Sequence, residues 1–169
     1  MTIPLGAVIA IDAAAWLTVQ VGAGYAVHRL PDRLLDADIR ILREHPWERG
    51  GRFYRDRLAV ARWKHHLPEG GAVFRGGVDK RTLPSGRTGD LERFWRETRR
   101  AELGHWLAIA GLAVFPLWNP PFLWPAMALY AVAVNTPCIV AQRYNRLRLS
   151  RSLAARSRNS RGTNGSSMP

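Results

Sequence analysis

Glu102 and His105 stand three residues apart in the block ETRRAELGHW at 97–106. On a helix that spacing puts both side chains on one side, so a carboxylate would sit one turn from an imidazole. Imidazole exchanges a proton near neutral pH, and a carboxylate behind it fixes the tautomer and stabilises the imidazolium. The pair reads as a general base, His105, with Glu102 as its orienting partner. In the plainer reading Glu102 pairs with Arg99 on its own helix and His105 sits in a headgroup zone. The block runs straight into an apolar stretch, so the pair would stand where the chain leaves water. Ionisable groups there are costly and tend to be functional.

The other histidines are at 28, 45, 65 and 66. His65, which follows Arg62-Trp63-Lys64, is the rival base. Adjacent helical residues point about 100° apart, so at most one of His65 and His66 faces a given site. A solvated or phosphate-binding face is the plainer reading of that cluster. A second polar block, QRYNR at 142–146, offers Arg143, Tyr144, Asn145 and Arg146. It is either a snorkelling anchor belt or a clamp for a headgroup or phosphate. Arg99 and Arg100 join these as candidate substrate-binding residues. Asn135, two residues before Pro137, places an amide inside an apolar segment, where it either satisfies a proline kink or binds substrate. No nucleophile elbow, Walker loop, dinucleotide-binding glycine fingerprint or paired cysteine motif is present, so covalent serine or cysteine chemistry and nucleotide binding have little support. A single Glu-x-x-His falls short of the doubled motif of a di-iron bundle, and no metal is expected. The lone Cys138 cannot form an internal disulfide.

The elements that must position these residues are apolar. Residues 3–27, 103–118 and 122–141 have few polar interruptions, chiefly Asp12, Gln20, His105 and Asn135. The first and third approach the roughly 20 residues that cross a bilayer; the middle one, about 24 Å as an α-helix, either spans a thinned bilayer or folds back as a re-entrant hairpin through Asn119-Pro120-Pro121. The stretch from 28 to 102 carries 18 Arg/Lys against 12 Asp/Glu, and the stretch from 142 onward carries 7 Arg and no acid. Positive-inside asymmetry then puts the N-terminus outside, with the loop and tail cytoplasmic. The net charge of +12 fits attraction to an anionic inner leaflet, and no recognition motif points to nucleic acid. A cleaved signal peptide at Gly24-Tyr25-Ala26 is the alternative for the first segment, but it lacks a basic n-region.

The expected fold is an all-α integral membrane protein of the cell membrane. It has an N-terminal transmembrane helix, a basic interfacial loop, a helical membrane hairpin and a basic tail, with residues 1–149 as one membrane-embedded domain and 150–169 as a disordered tail. Phe53, Val60, Trp63 and Leu67 recur on one face, which predicts one helix lying in the interface over 51–68. The Gly-rich stretch at 69–89 is expected to be irregular. Asp90 is the expected N-cap of a helix running through the 97–106 block.

The blocks ETRRAELGHW at 97–106, NTP at 135–137 and QRYNRLRL at 142–149 resemble the glycosyl-4,4'-diaponeurosporenoate acyltransferase family of staphyloxanthin-type carotenoid biosynthesis. The likeness extends upstream through Arg29-x-Pro31-Asp32, Gly51-x-Phe53 and RWKH at 62–65. The sequence departs from it at His66, in its arginine content and in its Gly/Ser tail. The resemblance implies a small membrane acyltransferase that esterifies the sugar of a glycosylated carotenoid acid with a fatty acyl chain. His105 would take the proton of the sugar hydroxyl, with no acyl-enzyme. Arg143 or Arg146 would hold the phosphates of acyl-CoA or the acidic surface of an acyl carrier protein, and Asn145 or Asn135 would donate to the oxyanion. No cofactor beyond that acyl donor is expected. The expected partners are membrane lipids, the two substrates and other enzymes of the carotenoid pathway. The competing class is a non-catalytic membrane module that binds a glycolipid or tethers such enzymes.

Overall fold

A computed structural model describes residues 4–67 and 88–165, and all regular structure among them is helical. Helix α1 (Leu5–His28) is followed by the short α2 (Asp32–Asp36), 3-10 turns at Arg40–Leu42 and Pro46–Gly51, α3 (Arg52–Asp56), α4 (Val60–Trp63) and a 3-10 turn at Lys64–His66. The second half is a hairpin of α5 (Thr88–Ala110) and α6 (Trp124–Gly165), joined through 3-10 turns at Gly111–Leu117 and Pro121–Leu123. Pro116, Pro120 and Pro121 remove donors that a continuing α-helix would need, which is why the chain tightens and turns there.

The contacts fix the directions. Trp95 Nε1 donates to Ser150 Oγ at 2.9 Å, and Arg143 Nη1 donates to Glu102 at 2.8 Å, so α5 and α6 run antiparallel. Helix α1 is antiparallel to α5. Its Val27 lies against Gly104 and its Val19 against Gly111, where a Cβ on Gly111 would collide with the valine. Small residues let the two backbones approach, as in helix pairs that pack without a hydrophobic driving force. At one end Arg100 Nη1 donates to the Val27, His28 and Leu30 carbonyls, which point out from the end of α1 and the residues just past it. At the other end Trp118 and Asn119 donate to Asp12 Oδ1 at 2.7 and 2.8 Å.

Two stretches, Gly6–His28 and Pro121–Asn159, are long and apolar enough to cross a membrane. Only 6% and 22% of their apolar windows are buried. Ile9, Leu17, Val21, Leu129 and Val132 face outward, the reverse of the arrangement that a water-soluble bundle adopts. The 3-10 winding of Gly111–Leu117 rises about 2 Å per residue against 1.5 Å for an α-helix, so the segment after Leu103 reaches further than its residue count implies.

Two expectations need correction. The predicted interfacial helix over 51–68 breaks into α3, α4 and a 3-10 turn, because Ala59 adopts a left-handed φ of 47° between them. Its apolar residues do share a face, but they cover α6. Val60, Phe53, Trp63 and Leu67 pack with Tyr54 around Ala141, Tyr144 and Leu147. The tail is not disordered from residue 150: α6 continues to Gly165, and Leu149 and Leu153 pack with Leu91 and Phe94 at the start of α5. Asp90 lies in the first turn of α5, which begins at Thr88. Residues 68–87 of the expected irregular stretch, and 166–169 of the tail, lie outside the described residues.

Candidate functional site

The polar blocks converge at the end of the hairpin away from its proline-rich turn. Glu48 and Glu102 are fully buried, which requires that their charges be met. Arg143 meets both. Its Nε and Nη2 lie 2.5 and 3.2 Å from the two Glu48 oxygens, and its Nη1 lies 2.8 Å from Glu102 Oε1. Arg146 Nη2 reaches Glu102 Oε2 at 2.9 Å. Loop carbonyls take further guanidinium protons, those of Ile41 and Arg43 from Arg143 and that of Leu42 from Arg146, while Arg146 Nε–H is buried without a partner among the described residues. Tyr54 Oη donates to Glu48 at 2.5 Å, and the His45 amide donates to the same carboxylate at 2.6 Å. Burial pushes the Glu48 carboxyl up, but the hydrogen bonds from Arg143, Tyr54 and the His45 amide outweigh it and leave the pKa below its ordinary value. Burial, and then Glu48 itself, push the Tyr54 hydroxyl well above the usual tyrosine range. Two acids and two arginines thus form a charge-balanced clamp that fixes residues 41–48 to the hairpin.

The clamp corrects the expected pairing. Glu102 spends both carboxylate oxygens on arginine, and the contact to the His105 ring comes from Asn135, whose Oδ1 lies 3.0 Å from Nδ1. Asn135 gives its own NH2 to the Ala131 carbonyl at 2.9 Å, so its Oδ1 is the acceptor. That assigns the proton to His105 Nδ1 and leaves Nε2 as the nitrogen carrying the lone pair, the tautomer a general base needs. Gln20 of α1 donates to the same Oδ1 at 3.5 Å. Three helices therefore contribute one side chain each.

The other candidates are divided among separate tasks. Arg99 donates to the Ala37 carbonyl at 2.5 Å and lies 4.6 Å over the Trp95 ring, while Arg100 also pairs with Glu97 and Asp32. Arg100 anchors the chain between α1 and α2, and Arg99 anchors the end of α2. Tyr144 is buried in the cluster with Tyr54, its ring flanked by Lys64 and Arg148. Asn145 Oδ1 accepts from Lys64 Nζ at 2.6 Å. His65 is exposed, its ring centroid 3.9 Å from that of His66. Glu48, Tyr54 and Gln20 were not among the sequence candidates. Only Gln20 gave a signal, as one of two strongly polar residues in the first apolar segment.

Beyond His105 the hairpin is apolar and open. A cavity of about 610 Å³ lies between the end of α5, the 3-10 turns and the start of α6, lined by Ile109, Leu112, Ala113, Pro116, Trp124 and Ala128 among others. Ile109 and Leu112 are four and seven residues past His105, and Ala128 is seven before Asn135, so both walls continue the faces that carry the pair. Among the described residues no group of three or more His, Cys, Asp or Glu side chains is arranged to hold a metal ion.

A family model described as glycosyl-4,4'-diaponeurosporenoate acyltransferase matches residues 38–155. The chain belongs to the glycosyl-4,4'-diaponeurosporenoate acyltransferase family. It is 33% identical over 138 residues to the proteins of that name from Staphylococcus aureus strains USA300, NCTC 8325 / PS 47 and bovine RF122 / ET3-1, covering 82% of this chain and 83% of each relative. No solved structure matches it. Membership makes the chain an enzyme of acyl transfer. The span matched to this acyltransferase family holds the whole clamp and the His105–Asn135 pair, while Gln20 precedes it.

Proposed function

We propose that this acyltransferase is embedded in the cell membrane and esterifies a sugar hydroxyl of a glycosylated carotenoid acid with a fatty acyl chain. The observation that carries the reading is the His105–Asn135 hydrogen bond, which leaves a lone pair on Nε2 where a charged mouth gives way to an apolar cavity. Both substrates have long apolar bodies and polar reacting ends, so their reacting atoms meet at such a boundary. His105 Nε2 takes the proton of the sugar hydroxyl as its oxygen attacks the acyl carbonyl. The new C–O bond forms, the C–S bond of an acyl thioester breaks, and the imidazolium returns its proton to the departing thiolate. Asn135 keeps the ring in register throughout. The relatives' name supports a glycosylated carotenoid acid as acceptor, and the outward-facing apolar helices support membrane embedding. A thioester of coenzyme A or of an acyl carrier protein fits the basic inner side.

General-base catalysis contributes about 100- to 10,000-fold, so purified His105→Ala should lose turnover within that range. His65→Ala should stay near wild type in the same acyl-transfer assay. A collapse confined to His65→Ala would move the base to the 64–66 turn and leave His105 and Asn135 as a structural pair.

A further inference from the structure

Asp12, Gln20, His105 and Asn135 are the strongly polar side chains that interrupt the apolar segments. Asp12 is accounted for, since Trp118 and Asn119 donate to it where the hairpin turns. The other three come from three helices and meet at one oxygen, Asn135 Oδ1, with His105 Nδ1 at 3.0 Å and Gln20 Nε2 at 3.5 Å. Polar groups set among apolar helices at that depth are costly and tend to be functional. Asn135 is spent, because its NH2 goes to the Ala131 carbonyl. Gln20 is not. Its contact with Asn135 is at the outer limit of a hydrogen bond, it has no other partner among the described residues, and its side chain is half-buried rather than sealed. An amide has two donors and two acceptor sites, so most of the capacity of Gln20 is unused beside the pair.

That unused capacity selects among ligands. A thioester carbonyl only accepts and a hydrocarbon chain does neither, whereas a hydroxyl gives and accepts as an amide does. Width selects too. The nitrogen proposed as the base lies across the imidazole from Asn135, so a molecule that meets both it and the Gln20 amide must carry hydroxyls on two sides of a body as wide as that ring. A sugar does; a simple alcohol does not. We infer that Gln20 is a substrate-binding residue, whose amide hydrogen-bonds a hydroxyl of the acceptor sugar other than the one that reacts. The assignment rests on the acyl-transfer reading above and deepens it: the sugar lies against α1, and a helix that looks like a plain anchor carries selectivity for a glycosylated acceptor. A hydroxyl drawn below the headgroups loses its water, and the amide supplies the partner that offsets the loss.

The test uses the full-length enzyme in lipid with an acyl thioester as donor. The acceptors are the glycosylated carotenoid acid and those of its monodeoxy-sugar analogues that keep the reacting hydroxyl. With wild-type enzyme, kcat/KM should fall about tenfold for the analogue that lacks the hydroxyl held by Gln20, the effect of one neutral hydrogen bond. In Gln20→Met, which keeps the length of the side chain and removes its amide, the parent acceptor should lose about tenfold and that analogue should become its equal to within about twofold. Each ratio compares two acceptors on one enzyme, so the fraction folded cancels, and methionine only makes α1 more apolar. A wild-type enzyme that handles every such analogue within about twofold of the parent overturns the assignment. So does a Gln20→Met enzyme that keeps the wild-type discrimination. Either result would leave ester formation by the wild-type enzyme intact, whereas failure of the underlying reading would appear as no ester product from the wild-type enzyme with any thioester.

Discussion

At the scale of single residues, the proposed base stands apart from the groups that hold charge still. Glu102 belongs with the second. Its two oxygens neutralise Arg143 and Arg146 inside the fold, and removing one partner of such a buried set costs about 3–5 kcal/mol because the remaining charges stay desolvated. Glu102→Gln should therefore lower thermal stability sharply, and its loss of activity should track the fraction unfolded. His105→Ala should leave the unfolding midpoint nearly unchanged while lowering turnover about 100- to 10,000-fold. A Glu102→Gln protein with wild-type stability and reduced turnover would return Glu102 to a direct role. The sequence told where these residues lie better than it told whom they face. Spacing brought Glu102 and His105 to one side of a helix, but side-chain partners depend on what the neighbouring helix offers at the same height. There α6 presents two arginines to the carboxylate and an amide to the imidazole. Glu48 was invisible because its importance comes from burial beneath a loop, which no periodicity records.

At the scale of elements, the hairpin and α1 were legible, since long apolar runs and a proline-rich turn determine them locally. The loop was less so. Its apolar residues were correctly grouped on a face, yet Ala59 at a left-handed φ breaks the helix that their spacing implied, because packing on α6 rewards three short pieces over one straight one. The tail was misread for a related reason: polar composition resembles disorder, but the helix is already nucleated by α6 and held by Trp95 and Leu153. The close contact of α1 with α5 makes Gly111 the sharpest test at this scale. Gly111→Leu has no room beside Val19, so α1 must move off α5, carrying Gln20 away from Asn135. A cysteine pair engineered at Ala23 and Ala108, buried and brought to the same height by the Val27–Gly104 and Val19–Gly111 contacts, should lose most of its crosslinking in that variant, with activity reduced about tenfold or more by the loosened site. Unaltered crosslinking would show that the helices are not seated as described.

At the scale of the whole molecule, the membrane-embedded reading sets an orientation. Cysteine labels in the 28–102 loop and the tail, in a Cys138→Ser background, should be shielded from an impermeant reagent in intact cells, while one at Thr2 should react. Labelling of the loop from outside would invert the arrangement. The clamp also has a consequence for how the chain is made. Glu48 and Glu102 are polymerised long before Arg143 and Arg146, so while the ribosome is still at work the growing chain carries both acids without the cations that will neutralise them. The loop has nothing to grip until the last helix arrives, and only a finished chain can bury those carboxylates. Uncompensated acid at the mouth of the hairpin is thus what distinguishes an unfinished chain from a finished one.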